Sequence, residues 1–221
     1  LFNRGEKMSK SVGNVIDPTA LAGHYGADQL RYFLLRDVPF GQDGTFSHEA
    51  IVNRINADLA NDLGNLAQRS LSMITANCEG KMPEPSHFSE ADLAILDAAD
   101  ALLGKARIAM QSFALHGVLA DIWRVVGDAN RYFAAEQPWV KRKTDPARME
   151  TIIYVTAEVL RKIAILSQPF MPVAMAKLLD LLSIAQEHRG FEHIGQKGAP
   201  GRPLPPPSAI FPRYVEADAA S

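Results

Sequence analysis

The sequence has little cysteine, no long apolar run and no excess charge of either sign. Cys78 is the only cysteine among 221 residues. One thiol cannot close a disulfide within the chain, nor anchor a cysteine-based zinc site. The six histidines, His24, His48, His87, His116, His188 and His193, are scattered. None has a second histidine or a carboxylate at metal-ligand spacing on a helix face, so no metal site is predicted. No stretch reaches the roughly 18 uninterrupted apolar residues of a membrane-spanning helix, and no signal-peptide pattern opens the chain. A reducing, cytoplasmic setting without a membrane is expected. With 23 basic against 25 acidic residues the formal net charge is −2. Any polyanion must then be held by a local patch and not by a bulk field. Strand-like alternation is also scarce, which argues against a sheet protein.

What is present is helical patterning in an ordinary globular composition, 47% hydrophobic and 22% charged. Residues 1–16 read as a loop with an extended piece over 12–16. Asp17 as N-cap, Pro18 at the first helical position and Gly26 as stop predict a short helix, and "ADQLRYFLLRDV" a second. "PFGQDGTFS" is turn chemistry. Ser47 caps a long helix predicted to run to about Ala76. Its residues Ile51, Ile55, Leu59, Leu63, Leu66, Ser70 and Ile74 recur at threes and fours, one helical face. Ser89 opens a helix to about Phe113, with Leu93, Leu96, Leu103 and Ile108 inward. A third runs over about 118–137, with Leu119, Ile122, Val126 and Phe133 inward, and Pro138 ends it. Helices over about 147–167 and along "VAMAKLLDLLS" follow. The predicted class is all-α, two short helices and then a bundle of about five long ones. The expected division is a linking region over 1–46, a helical domain over 47–190 and a Pro/Gly-rich tail over 191–221. The start at Leu1, directly before a lysine-rich loop, points to part of something longer.

Two stretches carry chemistry. In "RGEKMSKSVGN", Lys7 and Lys10 flank Met8 and Ser9, and Ser11 follows. Two ammonium groups and two hydroxyls gather on a loop that Gly5 and Gly13 allow to move. Such compact charges can follow a migrating triphosphate and act where charge builds on leaving pyrophosphate. Composition alone favours a solvated charged loop. The second stretch is "ANDLGNLAQR", where Asn61, Asn65 and Arg69 stand four apart. Each step of four turns the face by only about 40°, so they form one stripe, about 120° from the apolar one. Two amides and a guanidinium facing solvent can bond base edges and stack on a base. A stabilised solvated face would look the same. Trp123, among Ile122, Val125 and Val126, reads as core. Trp139 follows Pro138 and borders Lys141, Arg142 and Lys143, so it can serve as a stacking platform for an unstacked base, although a core role is the commoner fate of tryptophan.

"KMSKS" is identical to the signature loop of class I aminoacyl-tRNA synthetases. The passage from it through "GADQLRY" to "VPFGQDGTFS" resembles the junction between catalytic and helical domains in the bacterial methionyl-tRNA synthetases. The resemblance reaches to about Pro212. It implies that the loop steadies ATP while the methionine carboxylate attacks the α-phosphorus. Lys10 and Lys7 would be the catalytic pair, and Lys10, Lys7, Ser9, Met8 and Ser11 the ATP contacts. It also implies that Asn65, Arg69 and Trp139 read the CAU anticodon, with Asn61 one turn earlier. The partners implied are tRNA(Met), ATP with Mg2+, L-methionine and the N-terminal catalytic half of the same enzyme. Three parts of the family pattern are missing: the nucleotide-binding βαβ half, the zinc-binding insertion, and the C-terminal dimerising domain of some members. A monomer is therefore expected, and the chain alone is expected to be inactive. His193-Ile194-Gly195 resembles a piece of the family's phosphate motif, but on the wrong side of the loop and without the closing histidine. Two other readings compete. One is a non-catalytic anticodon-binding helical module, for which the lysine loop would have no use. The other is a helical scaffold whose matches are accidental.

Overall fold

A computed structural model describes residues 2–3, 6–9, 11 and 13–216, with backbone alone at Phe2, Asn3, Glu6 and Lys7. Lys10, Val12 and the Lys7 side chain, which carry part of the loop assignment, lie outside the described residues. Three two-residue strands, β1 (Phe2–Asn3), β2 (Glu6–Lys7) and β3 (Thr45–Phe46), form a small sheet in the order β2-β1-β3. β1 pairs antiparallel to β2 and parallel to β3. The extended piece expected over 12–16 is irregular where described. Otherwise the regular structure of the described residues is helical, as the hydrophobic spacing predicted.

The first two helices follow their caps. The Asp17 carboxylate accepts from the Thr19 N–H, Pro18 opens α1 (Pro18–Tyr25), and Gly26 closes it at φ 93°. α2 (Ala27–Asp37) then buries Leu30, Tyr32 and Phe33. Phe33 joins Tyr25, Phe46, Ile51 and Ile55 in a small core near the amino terminus.

The predicted long helix is one rod with an unexpected centre. α3 (His48–Arg54), started by Ser47 accepting from the Ala50 N–H, passes into a π-helical stretch (Ile55–Gly64) and then α4 (Asn65–Asn77). The physical reason lies in the spacing 51, 55, 59, 63. In an α-helix a strict four-residue repeat drifts about 40° per step. The wider i→i+5 turn reduces that drift and keeps Ile55, Leu59 and Leu63 buried. Gly64 ends the wide turns where a Cβ would lie 2.9 Å from the Leu59 carbonyl.

The helix expected over 90–113 is broken at Ala101 into α5 (Glu90–Asp100) and α6 (Leu102–Met110). A Ser89–Asp92 capping box starts α5. Its inward face is Ile95, Ala99 and Leu102, while Leu93 and Ile108 are 47% and 68% exposed. Leu96 and Leu103, also expected inward, are half-buried against the core.

α7 (Leu115–Glu136) ends at Gln137 with φ 48°, and Pro138 starts α8 (Pro138–Thr144). α9 (Pro146–Ser167) is the central helix, buried at every residue from 151 to 167. α10 (Pro172–Leu181) packs against it. The Gly/Pro-rich tail is irregular, as expected, yet it is bound closely to the bundle. The Met82 N–H donates to the Arg202 carbonyl and its own carbonyl accepts from the Gly201 N–H, Ile210 and Phe211 are buried, and Tyr214 reaches back to His24 of α1.

Candidate functional site

The lysine loop is shaped by short-range polar bonds. The Ser9 N–H donates to Asn14 Oδ1 at 2.8 Å, and the Ser9 and Ser11 hydroxyls lie 2.6 Å apart. The Ser11 N–H donates to Ser9 Oγ, and Gly13, at φ 72°, donates to the Ser9 carbonyl. Met8 and Ser9 are half-buried and Ser11 is exposed. The backbone of Lys7 pairs with Phe2 in the small sheet. A strand on one side and a glycine turn on the other therefore bracket the "MSKS" segment.

The second candidate site is assembled from three helices. On α4, the Arg69 Nε–H donates to the Asn65 carbonyl at 3.3 Å. Its Nη2–H donates to Asn130 Oδ1 on α7 at 2.8 Å. The Asn130 amide in turn donates to the carbonyls of Asp62 and Val126. The guanidinium is thereby held over the Phe133 ring, 5.2 Å from its centroid. Phe133 meets Trp139 of α8 at 6.0 Å between centroids. Trp139 is 43% exposed, and Asn65 and Arg69 are exposed. The result is an exposed guanidinium and an exposed indole that meet over the buried Phe133 ring, with an amide at the edge. Arg142 and Lys143 lie exposed in the last turn of α8, where they also suit the negative end of its dipole.

The structure thus brings Arg69, Asn65 and Trp139 together. Asn61 stands apart. It is half-buried and its Oδ1 accepts from Arg213 of the tail at 2.7 Å. Trp123 is core, as expected, with its Nε1–H donating to the Asp58 carbonyl and its ring 4.4 Å from Tyr32. Phe133 and Asn130 were missed as site residues. Phe133 reads as an ordinary core position, and Asn130 gains meaning only from cross-helix partners.

Beneath this surface lies a buried charge network. Asp92 accepts from Tyr132 and twice from Arg148. Arg148 also donates to Glu136, the last residue of α7, at 2.8 Å. Lys141 bonds the Glu136 carbonyl and approaches its carboxylate at 3.4 Å. Together they fix the corner between α7 and α8 from which Trp139 projects. Burial alone would raise the Asp92 carboxyl, but the bonds from Arg148, Tyr132 and the Ser89 backbone hold it below the usual carboxylate range. Among the described residues no group of three or more His, Cys, Asp or Glu side chains is placed to hold a metal ion. Among them also, no helix is long and apolar enough to cross a membrane.

Comparison with known proteins matches nearly the whole chain. Residues 1–71 match the model of class I tRNA synthetases of the methionine type, and residues 82–220 match the anticodon-binding domain of methionyl tRNA ligase. A methionine–tRNA ligase of Brucella suis is 66% identical over 219 residues, covering 99% of this chain and 42% of that protein. One from Mesorhizobium japonicum is 59% identical, covering 100% and 43%. The Mycobacterium tuberculosis methionyl-tRNA synthetase in complex with methionyl-adenylate superposes with a TM-score of 0.92 at 56% identity, over 96% of this chain and 42% of that one. Its apo form gives 0.91 at 52% identity, over 97% and 42%. The chain spans about two fifths of the length of these relatives. The helical bundle, with Arg69 and Trp139 exposed over a buried Phe133, and these matches together establish that the chain belongs to the methionyl-tRNA ligase family.

Proposed function

We propose that this chain supplies the triphosphate-gripping loop and the anticodon-reading bundle of a methionine–tRNA ligase. In the first step a methionine carboxylate oxygen attacks the α-phosphorus of ATP. The bond from that phosphorus to the bridging oxygen breaks, and pyrophosphate leaves as methionyl-adenylate forms. In the second step a ribose hydroxyl at the 3′ end of tRNA(Met) attacks the activated carbonyl and AMP leaves. Lys10 and Lys7 neutralise charge that grows on the departing pyrophosphate. Ser9, Ser11 and the Met8 backbone shape the loop around it. Magnesium enters with ATP as substrate, and no residue of this chain is assigned to it. The N-terminal catalytic half of the enzyme supplies the adenylate site, and the working unit is a cytoplasmic monomer.

The observation that carries the reading is the meeting of Arg69 and Trp139 over Phe133. A preset guanidinium and an exposed indole suit single-stranded bases, which are recognised by stacking and by bonds to their edges. The CAU anticodon would be splayed, with a base on Trp139 and base edges bonded by Asn65 and Arg69. The test compares binding of tRNA(Met) with that of a single-base anticodon variant to the complete enzyme at fixed salt. A clear preference for CAU is expected. Equal affinity for both would overturn the anticodon assignment. Anticodon preference in an enzyme that exchanges no pyrophosphate with ATP would favour the non-catalytic module instead.

A further inference from the structure

A second cavity lies away from both sites, between α9 and the turns that follow α10. Its volume is about 290 Å³, and its wall includes Arg161, His188, His193, Lys197, Gly198 and Arg202. Charge accounting there is uneven. Arg161, only 3% exposed, is fully engaged, with Glu158 and with the carbonyls of His193, Ile194 and Gln196. Glu158 is the one buried carboxylate beside it, and it also faces the Arg202 guanidinium across Gly198. Two guanidinium groups therefore share one carboxylate.

Arg202 is the group left over. Its Nε–H donates to the Leu182 carbonyl at 3.0 Å, but its Nη2 is buried and has no partner. Burial pulls its pKa down, with Arg161 adding to the effect and Glu158 opposing it. His193 Nδ1 is buried and unbonded too, with the exposed Glu192 no closer than 3.6 Å. The His188 ring stands edge-on to it at 5.2 Å. Lys197 adds an exposed ammonium, resting over Phe88. A buried donor without an acceptor costs free energy, so such a wall suits a ligand that supplies acceptors. Gly198 keeps the cradle open, because a Cβ there would lie 2.9 Å from Arg202 Nη1 and 2.4 Å from Glu158 Oε1.

We propose that this cavity binds a phosphate group, either the free ion or a small phosphomonoester. The excess charge on Arg202 and Lys197 matches an anion that carries about −1.5 to −2 near neutral pH. The cavity wall carries a guanidinium, an ammonium and two imidazoles. A tetrahedral oxyanion can meet all of them, whereas a planar carboxylate fits one fork.

The experiment is thermal unfolding of the complete enzyme in inorganic phosphate, in glycerol phosphate, and in chloride at matched ionic strength. Wild type and Lys197→Gln are compared in each. Lys197 is exposed, so its replacement leaves the fold intact, and any phosphate bound at the ATP site is common to both proteins. At a tenfold excess over Kd the wild-type midpoint should rise by about 1 °C beyond any rise in the variant. A larger differential with glycerol phosphate assigns a phosphomonoester, and a larger one with the bare ion assigns free phosphate. Equal shifts in wild type and Lys197→Gln overturn the proposal. Arg202→Gln, read as its own phosphate-minus-chloride difference, should also lose the shift, and its retention would be equally decisive against it.

Discussion

The lysine loop and the Arg69–Trp139 surface are built in opposite ways. Among the described residues, the loop's side chains are tied by local bonds such as that from the Ser9 N–H to Asn14, five residues away. The surface is tied by bonds across 61 residues, from Arg69 to Asn130, and 56 residues, from Arg148 to Asp92. Local bonds leave a segment able to rearrange without disturbing a core, which suits a group that follows moving charge. Long-range bonds among packed helices fix side chains before the ligand arrives, which suits discrimination between bases. Under the proposed function, one chain would pair a locally tied element for chemistry with a preset one for reading, joined through α1, α2 and the long rod.

The largest test of this contrast removes the foundation of the preset surface. Arg148→Ala leaves the fully buried Asp92 carboxylate without its cation, and breaking a buried pair in this way costs about 3–5 kcal/mol. Chemical denaturation should show that loss. The pH dependence sharpens it. In the native protein Asp92 is held below its usual range, so it contributes stability above the unfolded value near 3.9, lost as pH falls through the lower folded value. In Arg148→Ala burial dominates and raises Asp92, so acid unfolding should begin at a higher pH. An unchanged acid limb would mean that the network does not carry the corner.

The loop should respond differently. Lys10→Ala in the complete enzyme should slow ATP–pyrophosphate exchange by about 100- to 1,000-fold, the range for one lost transition-state donor. Tm and tRNA binding should hardly change. A loss of tRNA binding with exchange intact would reverse the assignment of the loop.

Legibility in the sequence follows the same division between local and distant. The caps at Asp17, Ser47 and Ser89 and the apolar face from Ile51 to Ile74 were readable, because each needs only neighbours within a turn or two. The two-residue strands were not, since residues 2–3 and 45–46 pair across the linking region without any periodic signal. Nor was the break at Ala101, which lacks glycine or proline. The π-helical centre hid inside a pattern that either winding satisfies over one turn. Asn65, Arg69 and Trp139 came from family resemblance added to a solvent-facing stripe. Phe133 and Asn130, which join them, came only from the packed helices. The tail read as irregular, and it is, but Ile210 and Phe211 show that lack of regular structure does not mean lack of burial.

A smaller effect should isolate the indole. Trp139→Ala is expected to weaken tRNA(Met) binding by about 1–3 kcal/mol, the range for one lost base stack. Trp139 is 43% exposed and sits above the charge network, not within it. Stability and adenylate formation should therefore stay close to wild type. If adenylate formation fell in step with tRNA binding, the residue would be structural.

The smallest expected effect tests whether the surface is preset at all. Asn130 contacts no base in this reading, and it acts by accepting from Arg69 while donating to Asp62 and Val126. Asn130→Ala removes bonds worth about 0.5–1.5 kcal/mol each when net of solvent, and most of the site is exposed, so stability should shift little. The guanidinium would then sample several positions over Phe133. Binding of CAU should weaken by up to about tenfold, while binding of a variant anticodon stays nearly constant, because only the cognate base gains from a fixed guanidinium. The ratio of the two affinities is the quantity to measure. A ratio unchanged in Asn130→Ala would mean that Arg69 is oriented by the RNA itself, and the contrast between a locally tied loop and a preset face would fail at this residue.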